Sequence, residues 1–501
     1  MSAAVPTPSS TEHHAPTAPR DAGAVLRDPA VDAGEGDRPG RRVRPRRALV
    51  VALLMAVMVI SVLDKSIFAF AGPQIIDELA LSPEQFGFVG SAFFFLYSVS
   101  GLLVGFLANR WPARWILSGM SLVWMLAQLA TAAAGGFSAL VASRMLLGAG
   151  CGPGTAVTQH ACFKWYAPRE RVVPAAMIQV AIMLGAVAGA LSLPLLIQKL
   201  GWRNAYLILA GVGLAWLLLW QVFGREGAEG DAVDHGPARI PDGHGDRAPR
   251  VHQGDPANAT APAPTPTPAP AQEQEQEQEQ ASAASAVPAS YRRLLLNRSF
   301  VVVTLAGFCS YLPTALIYSW VPVYLQRGLG LTPTQSGLMV MVATVGVILL
   351  NLIVSSLSQR ALQRGVSVRA AMVAPPMLAC VLSGVALAAI GFTARPLAAT
   401  LALFVVGSML VNLLPAFSNS IVAFIAPEAR RASMLAIHIG LMTSAGMLAP
   451  HGVGVAVAHF GGDIARGFEL ALGGFGLALI AAGVIGWRFI DPERSRRATS
   501  G

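Results

Sequence analysis

The chain has 501 residues, of which 54% are hydrophobic and only 13% charged, with a mean hydropathy of +0.56. That is too apolar for water-facing surfaces, so the roughly three soluble domains such a length would allow give way to a polytopic membrane protein. The formal net charge of +9 is almost wholly arginine, since only three of the 36 cations are lysine, and most arginines sit in short segments beside apolar stretches. This is a mark of membrane topology and excludes a nucleic-acid footprint.

Residues 1–47 are polar, rich in Ala, Pro, Asp and Arg, and lack the compact apolar core of a signal peptide. They read as a disordered cytoplasmic tail ahead of an uncleaved first span. Apolar stretches of about 20 residues, each able to cross a hydrocarbon core as a helix, follow near 48–74, 84–108, 115–134, 137–163, 172–198 and 204–223. Residues 224–297 are rich in Pro, Ala and Asp and carry the alternating run Gln272 to Gln280, so they read as a disordered cytoplasmic linker. A second set of spans lies near 300–325, 334–358, 370–392, 397–424, 432–458 and 466–488, before a cytoplasmic tail at 491–501. The expected fold is all-α, twelve transmembrane helices in two pseudo-symmetric six-helix bundles at 48–223 and 298–490. Lys and Arg flanking the spans number twenty-three on the side of the termini against five on the other, which places both termini in the cytoplasm.

The two sets are copies. Leu81-Ser82-Pro83-Glu84-Gln85-Phe86-Gly87 recurs 250 residues later as Leu331-Thr332-Pro333-Thr334-Gln335-Ser336-Gly337. Each is a helix start, with Ser82 or Thr332 as cap, Pro at the first helical position and Gln85 or Gln335 closing a capping box. Six spans per copy give the halves one orientation, the parallel repeat of transporters that bind substrate between two bundles.

Asp64 is the only carboxylate deep in a predicted span, some 24 Å along its helix from Ala48 at about 1.5 Å per residue. A buried ionisable group in a span is costly and so a functional candidate, the plain alternative being that it neutralises Lys65 or a neighbouring helix. Lys65 is the only lysine within a span and would attract a carboxylate in a water-filled cavity, unless it snorkels or pairs with Asp64. Arg144, near the outer end of the fourth span, is open to either substrate contact or helix packing. Cys151, seven residues on, shares its face and reads first as a small core residue. The run Gly148-Ala149-Gly150-Cys151-Gly152-Pro153-Gly154 follows no strand, so its glycines allow close helix packing and do not cradle a phosphate; Gly185 and Gly189 read likewise. Tyr97, Gln179, Tyr318, Trp320, Asn351, Asn412, Asn419 and His438 are polar or amphipathic positions within spans, fit for a cavity lining or for interhelical hydrogen bonds. Cys151, Cys162, Cys309 and Cys380 all fall in spans without metal spacing and are expected to stay unbridged. No cofactor, metal or catalytic motif is evident in the sequence.

Several stretches together resemble the major facilitator superfamily and, within it, the anion:cation symporters of organic acids. They are Asp64-Lys65, Ala71-Gly72-Pro73-Gln74-Ile75, Ser91-Ala92-Phe93 with Tyr97, Gly105 through Asn109-Arg110 to Arg114, Arg144-Met145-Leu146-Leu147-Gly148, Trp165 with Pro168, Glu170 and Arg171, Gly201-Trp202-Arg203, and Trp320-Val321-Pro322-Val323-Tyr324-Leu325. The resemblance covers about 48–225 and 298–490. It implies alternating access, a gating loop at Asn109, Arg110 and Arg114, and a substrate-side tyrosine at Tyr97. Asn109 stands where the loop motif has Asp, Pro112 where it has Gly, Lys65 where Arg is usual, and Cys151 where carboxylate symporters carry Glu.

The resulting expectation is a bacterial inner-membrane secondary transporter, a monomer importing a small organic anion with protons. Lys65, Tyr97, Arg144, Gln179, Tyr318, Trp320, Asn412 and His438 are the expected substrate contacts, and Asp64 the proton carrier. A thiol of reference pKa about 8.5 holds its proton near neutrality, so Cys151 cannot complete a two-carboxylate relay. Anion exchange or uniport on the same fold is the first rival, and a membrane sensor signalling through the linker the second.

Overall fold

The computed structural model describes residues 39–107, 111–166, 170–225, 291–393, 395–427 and 430–500. The expected disorder of the N-terminal tail before 39 and of 226–290, and the gating-loop residues Asn109 and Arg110, lie outside the described residues. Among the described residues there is no strand, and helices stand at every predicted span. In the first half these are α1 Pro39–Glu78, α2 Pro83–Leu107, α3 Ala113–Ala132, α4 as Phe137–Cys151 continued by Gly154–Phe163, α5 Val172–Leu200 and α6 Trp202–Phe223. In the second, α7 begins at Arg298–Ala315, α8 is Pro333–Gln363, α9 is Ala374–Phe392 preceded by a wide turn at Arg369–Val373, α10 is Leu397–Val411 with Leu413–Ile425, α11 is Arg431–Thr443 with Ala449–His459, and α12 is Ile464–Phe489. Ten helices among the described residues are long and apolar enough to cross a membrane; the other two predicted spans fall on α2 and on the broken pair of α4.

Local sequence explains where helices start and break. The Ser82 N–H donates to Gln85 Oε1 at 3.0 Å and the Gln85 N–H to Ser82 Oγ at 3.1 Å, and Thr332 with Gln335 repeats the box at 2.9 and 3.2 Å. Pro153 divides α4, and in α7 Pro313 precedes a tighter turn at Leu316–Tyr318 while Pro322 precedes a wider one at Tyr324–Gly328. A proline has no N–H for the ladder, so the helix must shift register there. α10 breaks at Asn412. Irregular backbone at membrane depth survives where it is enclosed by protein or lines a cavity, and the breaks in α7 and α10 do the latter.

All contacts described here lie within Ala48–Gly501, which packs as one unit. The halves meet along α2 against α11 and α5 against α8. A Cβ on Gly87 would collide with the Pro450 carbonyl oxygen, one on Gly454 with that of Pro83, and one on Gly337 with that of Ala190. Gly87 and Gly337 close the two copies of the repeated motif, so equivalent glycines bring the backbones together at both seams. At the same end Arg327 pairs with the Asp77 carboxylate and donates to the Pro73 carbonyl at 2.8 Å. The Phe86 ring meets Trp320 edge-on at 5.0 Å, and Trp320 Nε1 donates to Pro450 O at 2.8 Å. The end carrying the α1–α2 and α7–α8 turns is therefore sealed.

Within the first half, Gly201 turns the chain at φ +80° between α5 and α6. Arg203 then pairs with Glu78 at 2.9 Å and donates to the Ala132 and Ala134 carbonyls at 2.6 and 2.9 Å, while the Trp202 N–H donates to Gln74 Oε1 at 2.9 Å. The Gly-Trp-Arg motif thus ties α1, α3 and α6. The glycine run of α4 works as the sequence indicates: a Cβ on Gly148 or Gly152 would strike the backbone of α2 at Phe93 or Tyr97. No disulfide joins the four cysteines.

Candidate functional site

Asp64 is 2% exposed and accepts a 2.6 Å hydrogen bond from Gln128 Nε2 of α3. Neighbouring helical residues point about 100° apart, so Lys65 turns elsewhere. It is half-buried and lies within electrostatic reach of Tyr97 on α2, Tyr318 on α7 and Cys151 on α4. One phenol from each half thus lies within that reach of the ammonium. Tyr97 and Tyr318 belong with Phe94 and Tyr311 to one cluster of rings, with Phe94 at 6.2, 6.0 and 6.5 Å from the three tyrosines.

Arg144 is 1% exposed and held between the faces of Phe68 and Phe93, at 4.5 and 4.8 Å. None of its three guanidinium nitrogens has a hydrogen-bond partner. Cation–π attraction on both faces offsets part of the desolvation, but an unpaired buried cation remains expensive. Its edges face the interior of the first half, near Tyr206 and Cys151. Arg144 and Cys151 do share a face, and that face is buried.

A cavity between the halves is lined from α1, α5, α7, α8, α9, α10 and α12 and reaches Tyr318 and Asn412. Its polar side chains are Thr314, Tyr318, Thr344, Ser408 and Asn412, and none of its lining residues is charged. Thr314 and Thr344 donate to the carbonyls of Ser310 and Val340 at 2.9 and 2.7 Å, and Asn412 Nδ2 to Ser408 O at 2.8 Å. Asn351 donates to Val347 O at 3.0 Å and Asn412 O at 3.4 Å, which steadies the α10 break.

The other expected contacts are placed differently. His438 is fully buried inside the second half, where its Nδ1 meets Thr304 Oγ1 at 2.9 Å and its Nε2 meets Ser418 Oγ at 3.0 Å. Both ring nitrogens are spent on α7 and α10, so His438 is a packing residue and does not line the cavity. Trp320 is 1% exposed and belongs to the sealed end. Gln179 is exposed on α5 and is not among the cavity-lining residues. Arg114 Nη2 donates to Gln221 O at 2.6 Å, fastening the start of α3 to the end of α6. Sequence reasoning missed Gln128 and Tyr311. Gln128 is a single amide in an apolar span, and Tyr311 stands seven residues before Tyr318 on one face of α7; both signals were present.

The Major Facilitator Superfamily model matches residues 54–450 and 303–501. The chain belongs to the major facilitator superfamily. It is 31% identical over 192 residues to the hexuronate transporter of Bacillus subtilis, covering 38% of this chain and 44% of that one. It is 29% identical over 189 residues to the probable sulfoacetate transporter SauU of Cupriavidus necator, covering 37% and 43%. The match thus spans less than half the length of these relatives. Among solved structures the fold resembles a bacterial homolog of the human lysosomal transporter Spinster, in an inward-facing and unoccupied conformation, with a TM-score of 0.65 at 15% identity over 91% of this chain and 98% of that one. It also resembles the D-xylose-proton symporter, with a TM-score of 0.64 at 15% identity over 89% and 99%. At such identities the likeness is one of fold.

Proposed function

We propose that this superfamily member is a bacterial inner-membrane secondary transporter, acting as a monomer, that moves a small organic anion with protons by alternating access. The observation that carries the reading is Lys65, an ammonium at membrane depth within electrostatic reach of Tyr97 and Tyr318 from opposite halves, one residue from the buried Asp64. Lys65 anchors the carboxylate, and Asp64, held by Gln128, carries the proton. With both termini in the cytoplasm, the end sealed by Gly87, Gly337 and the Asp77–Arg327 pair faces outward, and the state is inward-facing. The relatives named for hexuronate and sulfoacetate support an anionic cargo. The test is uptake and counterflow in proteoliposomes. Lys65→Gln should weaken anion binding by about 1.5 to 3 kcal/mol, the scale of a charge-assisted hydrogen bond; unchanged affinity in a folded variant removes the anchor. One observation favours exchange or uniport as the second reading: Cys151, 3% exposed, stands where the resemblance implies Glu. Brisk counterflow without gradient-driven accumulation by the wild type would replace symport with that reading.

A further inference from the structure

We infer that the cargo is an amphipathic monocarboxylate, one anionic head on an aromatic or branched apolar body, and not a polyhydroxylated acid. The inference rests on the reading of Lys65 as the anion anchor and adds what the rest of the site can hold. Tyr97 and Tyr318, within electrostatic reach of the ammonium, belong with Phe94 and Tyr311 to one cluster of rings that carries three phenol hydroxyls. Tyr318 also lines the cavity between the halves, whose apolar walls include Val62, Ile182, Val340, Val347, Phe404 and Leu472; Lys65, Phe94, Tyr97 and Tyr311 are not among its lining residues.

What the cavity lacks decides the chemistry. Thr314 and Thr344 already donate to the carbonyls of their own helices and Asn412 spends one of its two amide hydrogens on Ser408 O, so of the polar side chains there Tyr318, Ser408 and the second Asn412 hydrogen are the donors left uncommitted. A sugar acid carries several hydroxyls that each need a partner, and every one left unpaired on burial weakens binding about tenfold or more. An apolar body gains instead, about fourfold for each methylene-sized increment buried. A second carboxylate finds no second cation. The cavity lining holds no charge, and Arg144, the cation fully buried in the first half, is enclosed between Phe68 and Phe93. The inference therefore departs from the cargo named for the Bacillus subtilis relative.

The experiment measures binding to the purified full chain in nanodiscs by calorimetry, with a fixed panel. The panel is 2-naphthoate, phenylacetate, naphthalene-2,6-dicarboxylate, glucuronate and the neutral 2-naphthamide. The expected order has 2-naphthoate or phenylacetate at least tenfold tighter than glucuronate and the dicarboxylate, and the amide at least tenfold weaker than its acid. Val347→Thr, which adds a hydroxyl at nearly constant volume, should weaken 2-naphthoate several-fold while glucuronate does not weaken; the wild-type panel decides the matter if that variant does not fold. Glucuronate or the dicarboxylate binding as tightly as the aryl acids, with the affinity lost in Lys65→Gln, overturns the amphipathic cargo and leaves the anion reading standing. Amide and acid binding alike, unaffected by Lys65→Gln, overturns both. Absence of binding by any aryl acid up to millimolar concentration also overturns the inference.

Discussion

The two halves share a fold and a repeat, yet they treat buried polarity in opposite ways. At the repeat offset of 250 residues, Asp64-Lys65 of α1 corresponds to Thr314-Ala315 of α7. In the first half the position holds a buried carboxylate that reaches another helix for its hydrogen bond; in the second it holds a hydroxyl satisfied by its own helix at Ser310. The interior of the first half also encloses Arg144, and that of the second a neutral chain of Thr304, His438 and Ser418. Equivalent geometry thus supplies charge on one side and an uncharged, largely apolar receptacle on the other. A duplicated scaffold need not duplicate chemistry: a charge that costs several kcal/mol to bury stands in one copy and is absent from the matching position of the other.

The sharpest way to break this contrast is to neutralise each position in turn. Asp64→Asn should abolish pH-driven accumulation in proteoliposomes while counterflow continues, whereas Thr314→Val should leave both intact. Equal loss from the two variants would mean that the halves are functionally alike. A comparably large effect is expected where the halves are alike. Gly87→Val and Gly337→Val each force a side chain into a carbonyl of the opposite half, so each should slow transport more than tenfold and raise labelling of a cysteine placed behind the sealed end. A strong effect at one seam only would show that α2/α11 and α5/α8 do not share the closure.

Smaller effects sharpen the picture. Gln128→Leu removes the donor to Asp64 and should lower stability by about 1 to 3 kcal/mol, the cost of leaving a buried acceptor unmet; thermal unfolding in detergent measures it. Ser418→Ala, which leaves His438 its Thr304 contact, should cost about 1 kcal/mol or less by the same measurement. The smallest change belongs to the exposed ion pair. Asp77→Asn should shift the balance of states by about 0.5 kcal/mol, and the exchange Asp77→Arg with Arg327→Asp should restore it, read as cysteine accessibility at the outer end.

What the sequence disclosed follows from the range of the forces involved. Spans, the capping boxes at Ser82 and Thr332 and the oddity of Asp64 and Lys65 are local or compositional, and they stand in the structure where the sequence puts them. Partnerships across helices were not legible. Nothing within one span shows that Asp64 meets Gln128, or that His438 meets residues of two other helices and so leaves the cavity. Trp320 moved for a related reason: an amphipathic ring in a span fits a cavity wall or a seam, and only the approach of Phe86 and Pro450 decides which. Glycine's dual reading was resolved correctly on α4 because a phosphate loop needs a strand before it and none was present.

The pair formed by Asp77 and Arg327 joins positions separated by the repeat length itself. Residues so related face each other across the pseudo-twofold axis, where perfect symmetry would set identical side chains opposite and like charges would push the bundles apart. Opposite charges at that point are available only to a single chain whose copies have drifted into different residues. The latch is thus a form of asymmetry that two identical subunits could not encode, and fusion of the halves into one polypeptide is what makes it possible.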